Sequence, residues 1–379
     1  MKISNIEAYP VWGGHRNYLF VVVDTDAGIY GVGEAGITGR ELAVMGAIEH
    51  LKPLLIGQDA SRIEHLWQMM TRGGFFPAQR VIMSAISAID IALWDIKGKG
   101  LNVPVYDLLG GRVRDKVVCY PHNAGHAMEI TPLVESCLQT KEEGWKFVRW
   151  GLPQAGDLIE PRKAVQAAIK QLHAVREAVG DDIEITLDVH TRLDLPDALW
   201  LCKEAEVVRP YFIEDPLRCE NPDSFKTLRP RTTVPLAAGE QFSSKWEFRQ
   251  LIEEEWIDYA RVDLCIAGGF TEAKKIAGWC ETHYIKMVVH NPLGPVSSAA
   301  CLQFNLAVSN FGVQEQPRKP GATLTDVVIG QAEWVDGCLL PPAAPGLGIT
   351  FDREAAKRHP FRLTDLPMLH REDSSFTNW

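Results

Sequence analysis

The chain has 379 residues, of which 46% are hydrophobic and 23% are charged. This composition is typical of a globular protein with a large core, and the length allows one large domain and a smaller one. The formal net charge of −10 argues against a nucleic-acid partner, because binding to phosphates requires a basic surface.

The N-terminal residues MKISNIEAYPVW lack the apolar stretch of a signal peptide. No run of the sequence approaches the roughly 20 apolar residues that a transmembrane helix needs. The eight cysteines are scattered and form no C-x-x-C pair, which favours reduced thiols over a zinc site or disulfides. We therefore expect a soluble cytoplasmic protein with no membrane partner.

The first part of the chain has the pattern of a small α+β domain. Residues 1–34 alternate and turn like an antiparallel sheet, and residues 18–25 (YLFVVVDT) have the composition of a strand. Residues 80–99 carry apolar side chains at helical spacing. A sheet followed by a group of helices predicts one α+β domain over residues 1–114.

After Asp115, short apolar strands alternate with helical stretches such as 164–179 and 271–282. This alternation indicates parallel strands with right-handed crossovers, and eight strands match a closed barrel. A doubly wound open sheet is the alternative, but no G-x-G-x-x-G opens a helix. The predicted strands are 117–120, 146–150, 183–188, 211–214, 236–240, 259–262, 287–290 and 311–315.

The tail from Gln316 is rich in proline and glycine, which predicts an extended segment rather than a ninth barrel unit. Its length allows it to return to the first domain. We therefore divide the chain into an α+β domain (1–114), a barrel (115–325) and a C-terminal segment (326–379).

Three apolar segments each end in an acid: Asp188 in ITLDVH, Glu214 in YFIEDP and Glu240 in PLAAGE. Both intervals, 188 to 214 and 214 to 240, are 26 residues, close to one βα unit. Barrel active sites lie at the C-terminal strand ends, where converging carboxylates need a cation. An oxygen-only ligand set favours one Mg²⁺, with Mn²⁺ also possible. A single acid after a strand more often caps a helix, but equal spacing of three favours a metal site.

His290 ends another apolar strand, in KMVVHNPLGP, and Asp263, in RVDLCIAGG, is expected beside it on the adjacent strand. A carboxylate on one ring nitrogen fixes the tautomer and raises the basicity of the other, which suits a general base. The alternative for His290 is a hydrogen-bonded core histidine.

His190 and Glu315 are further candidates. His190 follows Asp188 by two residues, so alternation along an extended segment would point both side chains toward the metal and suit His190 to a general acid. A surface-loop histidine is the alternative. Glu315, in GVQEQP, ends the eighth strand and could donate to a substrate carboxylate if protonated; a salt bridge at the rim is the alternative.

Together these residues resemble the enolase superfamily, in the mandelate racemase/muconate lactonizing branch, and are most similar to its galactonate dehydratase-type sugar-acid dehydratases. The resemblance implies a TIM-like (β/α)7β barrel with an N-terminal α+β capping domain that the C-terminal segment completes. It covers nearly the whole chain and rests on these segments: VVDTDAGIYGVGE, LIGQDASRIEHLWQ, MSAISAIDIALWDIKGK, VPVYDLLGG, LDVH, FIEDP, AAGE, IAGG, HNPLGP and QEQ.

The resemblance implies a role for each candidate. The three strand-end acids would bind one Mg²⁺ per subunit, and His290 with Asp263 would remove the proton α to a substrate carboxylate. His190 would protonate the departing 3-hydroxyl, and Glu315 would act at the substrate carboxylate. The expected product is a 2-keto-3-deoxy acid, and the expected assembly is a homo-oligomer.

The chain departs from the family pattern at the end of the second strand. Many relatives have K-x-K there, whereas this chain has Arg149 and Gly151 in KFVRWG. The missing lysine weakens a racemase interpretation, and D-galactonate itself is put in doubt. An epimerase, a cycloisomerase and a non-catalytic metal-dependent binding protein remain alternatives. The expected substrate contacts are Arg149, Trp150, His122 and Arg16, with Phe75 and Phe76 on a covering loop.

Overall fold

The computed structural model describes residues 1–123 and 128–377. Its first domain is an antiparallel sheet in the order β1-β2-β3, followed by a group of helices. The strands are β1 (Ile3–Trp12), β2 (Asn17–Thr25) and β3 (Tyr30–Ala35), and the helices are α1 (Glu41–Leu55), α2 (Ile63–Arg72), α3 (Arg80–Leu101) and α4 (Val105–Leu108).

Helix α3 packs directly on the backbone of β3, and glycines allow this approach. An added Cβ on Gly33 would lie 1.9 Å from the carbonyl oxygen of Ala88, and one on Gly31 would lie 2.0 Å from that of Ala92. No side chain fits at such distances, so these glycines set the spacing between sheet and helix. The apolar face of α3 completes the core of this domain.

Within its described residues, the second domain contains eight parallel strands. Strands β5 to β10 are hydrogen-bonded neighbours in sequence order, and β11 pairs with β4. Met287 at the end of β10 bridges to Phe311, and the Asn123 N–H after β4 donates to the Arg149 carbonyl of β5 at 2.8 Å, so the barrel closes at both joins. The strands are β4 (Val117–Tyr120), β5 (Phe147–Gly151), β6 (Glu184–Asp188), β7 (Phe212–Glu214), β8 (Leu236–Ala238), β9 (Tyr259–Ala260), β10 (Lys286–Met287) and β11 (Gln314–Glu315).

A helix connects each strand of the barrel to the next, which gives the expected (β/α)7β order. All eight predicted strands are present, and several are shorter than predicted. Tyr120, Phe147 and Phe212 belong to the packed interior cluster of the barrel. The helices are α5 (Ile130–Glu142), α6 (Pro161–Val179), α7 (Leu195–Ala205), α8 (Ser224–Leu228, continued by a 3-10 turn at Arg229–Arg231), α9 (Lys245–Glu253), α10 (Gly269–Thr282) and α11 (Pro295–Ala307).

The C-terminal segment has more regular structure than the predicted extended chain. Strand β14 pairs antiparallel with β4 and so adds to the barrel sheet, which composition alone does not indicate. Arg353 pairs with Asp24 of β2, and this contact joins the segment to the capping domain. The domain boundaries remain predictions. The elements are β12 (Val328–Ile329), β13 (Trp334–Val335), β14 (Cys338–Leu339), β15 (Thr350–Phe351) and α12 (Arg353–Lys357).

Among the helices of residues 1–123 and 128–377, none combines the length and the apolar character that a bilayer crossing requires.

Candidate active site

The three strand-end acids converge at the mouth of the barrel. Asp188 and Glu214 end β6 and β7 and are paired in register, and Glu240 follows β8 by two residues. One carboxylate oxygen of each lies within 4.8 Å of the others. We call Asp188, Glu214 and Glu240 the acid row. Strand register therefore brings together the residues that the sequence predicted as metal ligands.

The chemistry of the acid row fits a divalent cation. Glu214 is fully buried, and its Oε2 has no hydrogen-bond partner within the described part of the chain. Burial raises the pKa of Glu214 well above its usual value and that of Glu240 to about 8. A buried carboxylate oxygen without a partner is costly, and a bound cation would remove that cost. Three oxygen ligands suit Mg²⁺, so these residues fit the ion.

His290 and Asp263 form the predicted dyad. His290 Nδ1 lies 2.7 Å from Asp263 Oδ2, and His290 Nε2 lies 3.5 Å from Glu240 Oε2. Asp263 is held in turn by the Cys265 N–H, which donates to its Oδ1 at 2.6 Å. Burial lowers the pKa of His290, but the charges of Glu240 and Glu315 and the bond to Asp263 raise it to about 9. The free ring nitrogen is thus basic and faces the acid row.

His190 lies against Asp188, but not for the predicted reason. The chain is not extended there, because His190 and Thr191 have φ of 52° and 57°. The His190 N–H donates to Asp188 Oδ1 at 2.8 Å, and Nε2 lies 2.7 Å from Asp188 Oδ2. Burial lowers the pKa of His190. A left-handed turn, rather than strand alternation, therefore places the imidazole, and its acid role remains a prediction.

Glu315 is a buried ion-pair partner rather than a residue at the rim. Arg261 Nη2 and His122 Nε2 lie 2.6 and 2.7 Å from its two oxygens, and the Asn291 N–H donates to Oε2 at 2.8 Å. Burial raises the pKa of Glu315, but the charges of Arg261 and His290 lower it by more, to well below its usual value. A hydrogen-bond donor must be protonated, whereas this arrangement favours the carboxylate. We call Arg261, Glu315 and His122 the ion-pair cluster.

Arg261 lies in the site and was not predicted from the sequence. Its guanidinium is fully buried and links the ion-pair cluster to the acid row, with Nη2 2.6 Å from Glu214 Oε1. Nη1 donates to the Val288 carbonyl at 3.2 Å. Arg261 lies two residues before Asp263, which places both side chains on one face of the segment. This spacing could have predicted Arg261 as a residue of the site.

Asp215, which follows Glu214, was also missed. It is buried, and burial raises its pKa well above the usual value. Its Oδ1 accepts the Gly239 N–H at 3.3 Å, next to Glu240. This bond ties Asp215 to the backbone next to the acid row.

The predicted substrate contacts divide into three that lie near the site and one that does not. Arg149 is buried and forms a salt bridge with Asp188, so it lies beside the acid row. His122 belongs to the ion-pair cluster, and burial together with Arg149 lowers its pKa to about 4. Arg16 Nη1 donates to the Pro292 carbonyl at 3.0 Å, two residues after His290.

Trp150 was wrongly predicted to line the site. Its indole N–H donates to Gln171 Oε1 of α6 at 3.1 Å, so the ring lies in the layer between strand and helix. Successive side chains of a strand point to opposite faces, and Arg149 takes the inner one.

Phe75 and Phe76 are 93% and 83% exposed. Arg80, just after this loop, donates to the Gln241 carbonyl at 3.0 Å, beside Glu240. The loop therefore lies near the barrel mouth, although its two rings face solvent.

A capped barrel with three acids and a histidine–aspartate pair at its strand ends defines a metal-dependent enzyme that can remove a proton next to a carboxylate. Two family models match the chain. The first, described as mandelate racemase/muconate lactonizing enzyme, N-terminal domain, covers residues 13–110. The second, described as enolase C-terminal domain-like, covers residues 133–356. The chain belongs to the enolase superfamily, in the mandelate racemase/muconate lactonizing enzyme branch.

Relatives over the full length are named as sugar-acid dehydratases. A D-mannonate dehydratase of Caulobacter sp. is 39% identical, with 96% of each chain covered. A D-galactonate dehydratase family member of Halomonas elongata is 37% identical with the same coverage. An enolase from Pantoea ananatis with bound D-gluconate and Mg is 30% identical, covers 100% of this chain and 99% of its own, and has a TM-score of 0.94.

A putative galactarate dehydratase from Agrobacterium radiobacter, bound to Na and L-malate, has a TM-score of 0.93 at 29% identity and covers 100% of both chains.

Proposed function

We propose that this protein is a Mg²⁺-dependent dehydratase of sugar acids, which removes the proton α to the carboxylate and eliminates the 3-hydroxyl. The observation that carries the proposal is the orientation of His290. Its Nδ1 is fixed by Asp263 while its Nε2 faces the acid row. Relatives named D-mannonate and D-galactonate dehydratases support an aldonic or aldaric acid as substrate.

The acid row would hold the metal ion. When bound there, Mg²⁺ supplies electrostatic stabilisation of the charge that develops on the substrate carboxylate. The proton next to that carboxylate is very weakly acidic, so its removal requires this stabilisation together with a basic nitrogen. His290 accepts the proton at Nε2, and Asp263 holds the imidazole in the tautomer that leaves Nε2 free.

Loss of the hydroxyl group needs a proton donor at another position. His190 lies beside Asp188 and His290 beside Glu240, so the acid row runs between the two imidazoles. A substrate bound along the row would meet one histidine at each end. We assign His190 to the departing 3-hydroxyl, which leaves as water, and the resulting enol becomes a 2-keto-3-deoxy acid.

The test is a screen of aldonic and aldaric acids, including mannonate, galactonate, gluconate and galactarate, with Mg²⁺ present. The assay scores 2-keto-3-deoxy products, and EDTA-treated protein and the His290→Asn variant serve as controls. We expect product from at least one acid, none with EDTA-treated protein and far less with the His290→Asn variant. Failure of every acid with metal-loaded protein would contradict the proposal.

Epimerisation is the second candidate, because two imidazoles at opposite ends of the acid row could exchange a proton at C2. Deuterium from the solvent would then enter C2 without loss of water. The absence of a lysine at Arg149 and Gly151 argues against the lysine–histidine form of this reaction.

We also propose a cytoplasmic homo-oligomer. The eight cysteines are free thiols, which suits a reducing compartment. Exposed apolar side chains, including Phe75, Phe76 and Phe376, suit contacts between subunits. Cell fractionation tests the cytoplasmic location, and light scattering after size-exclusion chromatography tests the oligomeric state. A purely monomeric protein would contradict the proposed homo-oligomer.

A further inference from the structure

The last residues of the chain cross from the capping domain to the barrel, and we call residues 359–377 the C-terminal strap. Its first anchor is the connection between β1 and β2. The Trp12 N–H donates to the His359 carbonyl at 3.0 Å. Asn17 Nδ2 donates to the Arg362 carbonyl at 2.7 Å, and the Arg362 N–H donates back to Asn17 Oδ1 at 3.0 Å. These reciprocal bonds fix the start of the strap on the capping domain.

The second anchor of the strap is the loop 152–160, which joins β5 to α6. The His370 N–H donates to the Asp157 carbonyl at 2.9 Å, and the Ile159 N–H donates to the His370 carbonyl at 3.0 Å. Leu369 is buried next to this pair of bonds. The strap therefore pairs with the loop through backbone groups, much as a short β-strand would.

The loop 152–160 supports the turn that carries His190. The Leu152 N–H donates to the Asp188 carbonyl at 2.7 Å. Gln154 Oε1 accepts a hydrogen bond from Arg192 Nη1 at 2.5 Å, and Arg192 follows His190 by two residues. A continuous set of bonds thus leads from the strap through the loop to the left-handed turn at His190.

His290 is held by a different part of the molecule. It follows β10, its Nδ1 is fixed by Asp263, and its N–H donates to the Val262 carbonyl at 3.1 Å. The loop held by the second anchor is bonded to the His190 turn, whereas the first anchor, the β1–β2 connection, reaches the segment after His290 through Arg16, which donates to the Pro292 carbonyl at 3.0 Å. The two anchors therefore serve the two imidazoles by separate routes.

We propose that the second anchor of the C-terminal strap is a positioning element for His190, and so for the step in which the hydroxyl group leaves, and that this anchor has little influence on proton removal by His290. The inference rests on the proposed dehydratase function. It predicts that loosening the strap separates two reactions that occur together in the intact enzyme, which are cleavage of the C2–H bond and loss of water.

The test compares two substitutions at one position. His370→Pro removes the N–H that bonds to Asp157, whereas His370→Ala keeps the backbone and is the matched control. Both are assayed in D₂O with an acid that the wild type dehydrates, and the measurements are keto-acid formation and deuterium at C2 of the remaining substrate. Because small displacements of a catalytic group are costly, dehydration by His370→Pro should fall about 10- to 100-fold. The total rate of C2–H cleavage, which is the sum of exchange and dehydration, should stay near the wild-type rate, so exchange should account for a larger share of it. His370→Ala should resemble wild type in both measurements.

Hydrogen exchange followed by mass spectrometry on the peptide covering 152–160 is a readout that does not depend on activity. If the two variants have equal melting temperatures, the amide hydrogens of this peptide should exchange faster in His370→Pro than in His370→Ala. If His370→Pro does not fold, Leu369→Ala loosens the same anchor without a proline and should show the same separation of rates.

Three results would overturn the inference. In His370→Pro, C2–H cleavage could fall as much as dehydration. His370→Pro and His370→Ala could have equal effects, or the loop 152–160 could keep its wild-type protection from hydrogen exchange in His370→Pro. A wild type that acts on no acid would instead contradict the proposed function, and the hydrogen-exchange comparison would still test the strap.

Discussion

The acid row and the ion-pair cluster face the same space but are held in place by different means. Each residue of the acid row ends, or closely follows, its own strand, and neighbouring strands carry it to an equivalent position. In the ion-pair cluster, Glu315 is reached by Arg261 from β9 and by His122 from beyond β4, with side-chain contacts at 2.6 and 2.7 Å. The first arrangement follows from strand register, and the second from pairing between residues far apart in the chain.

This difference has an energetic consequence. Acids brought together by register repel one another and need a cation, whereas Glu315 already has its counter-charge in Arg261. We therefore expect substitutions in the acid row to affect metal binding and turnover. Substitutions in the ion-pair cluster should mainly affect the free energy of unfolding. The following experiments separate the two.

The largest effect is expected for Glu214→Gln. The amide removes one charge from the acid row, so Mg²⁺ binding measured by calorimetry should be lost and dehydration should fall below detection. Glu253→Gln, an exposed glutamate of α9, is the control and should bind Mg²⁺ normally. Normal metal affinity in Glu214→Gln would show that the acids do not form the metal site.

His290→Asn should leave Mg²⁺ binding intact and reduce turnover about 10²- to 10⁴-fold, the range for loss of a general base. Steady-state kinetics and calorimetry on the same sample measure both properties. His283→Asn, at a partly exposed histidine paired with Glu255, should keep full activity. A His290→Asn variant with wild-type kcat would remove the basis of the proposed mechanism.

Arg261→Met tests whether the ion-pair cluster stabilises the folded protein. Removing one partner of a buried pair leaves Glu214 and Glu315 uncompensated, so the free energy of unfolding should fall by about 3–5 kcal/mol in urea titrations. The loss should be larger in EDTA than in excess Mg²⁺, because a cation on the acid row offsets Glu214. Arg249→Met breaks an exposed pair and should change stability by less than about 1 kcal/mol. Equal stability of Arg261→Met and wild type would contradict the assignment.

Asp263→Asn should have a smaller effect than loss of His290 itself. The imidazole remains but loses the carboxylate that fixes its tautomer, which typically costs about 10- to 100-fold in activity. Asp181→Asn, at an exposed aspartate, is the matched control. Steady-state kinetics should show the change in kcat rather than in KM. An unchanged kcat would show that Asp263 does not assist His290.

The smallest effect is expected for Trp150→Phe, because this indole bonds to Gln171 outside the site. KM for the substrate should change by less than about threefold, while stability falls by about 1 kcal/mol for the lost hydrogen bond. A large rise in KM would restore Trp150 to the substrate-binding residues.

The sequence predicted the parts of the molecule that follow from periodicity. The apolar strands and the 26-residue intervals between Asp188, Glu214 and Glu240 indicated the barrel and the acid row, because register repeats from one βα unit to the next. A shift of one residue in register exchanges the inner and outer faces of a short strand. For this reason Arg261 was missed and Trp150 was assigned to the wrong face.

The state of Glu315 and the form of the tail depend on long-range contacts. Glu315 is favoured as a carboxylate because it contacts Arg261 and His122, which lie far from it in the sequence, and no local pattern shows these contacts. The turn at His190 is local by contrast: it has positive φ angles and a bond to Asp188 two residues before, which strand alternation does not predict. Strand β14 pairs with β4 more than 200 positions earlier in the chain, so composition alone predicted only an extended segment.

A crystal structure with Mn²⁺, examined by anomalous diffraction, tests the central claim most directly. The account predicts one peak bound by an oxygen from each of Asp188, Glu214 and Glu240, with His290 Nε2 facing the open side of the ion. A peak elsewhere, or carboxylates that turn away from one another, would contradict it.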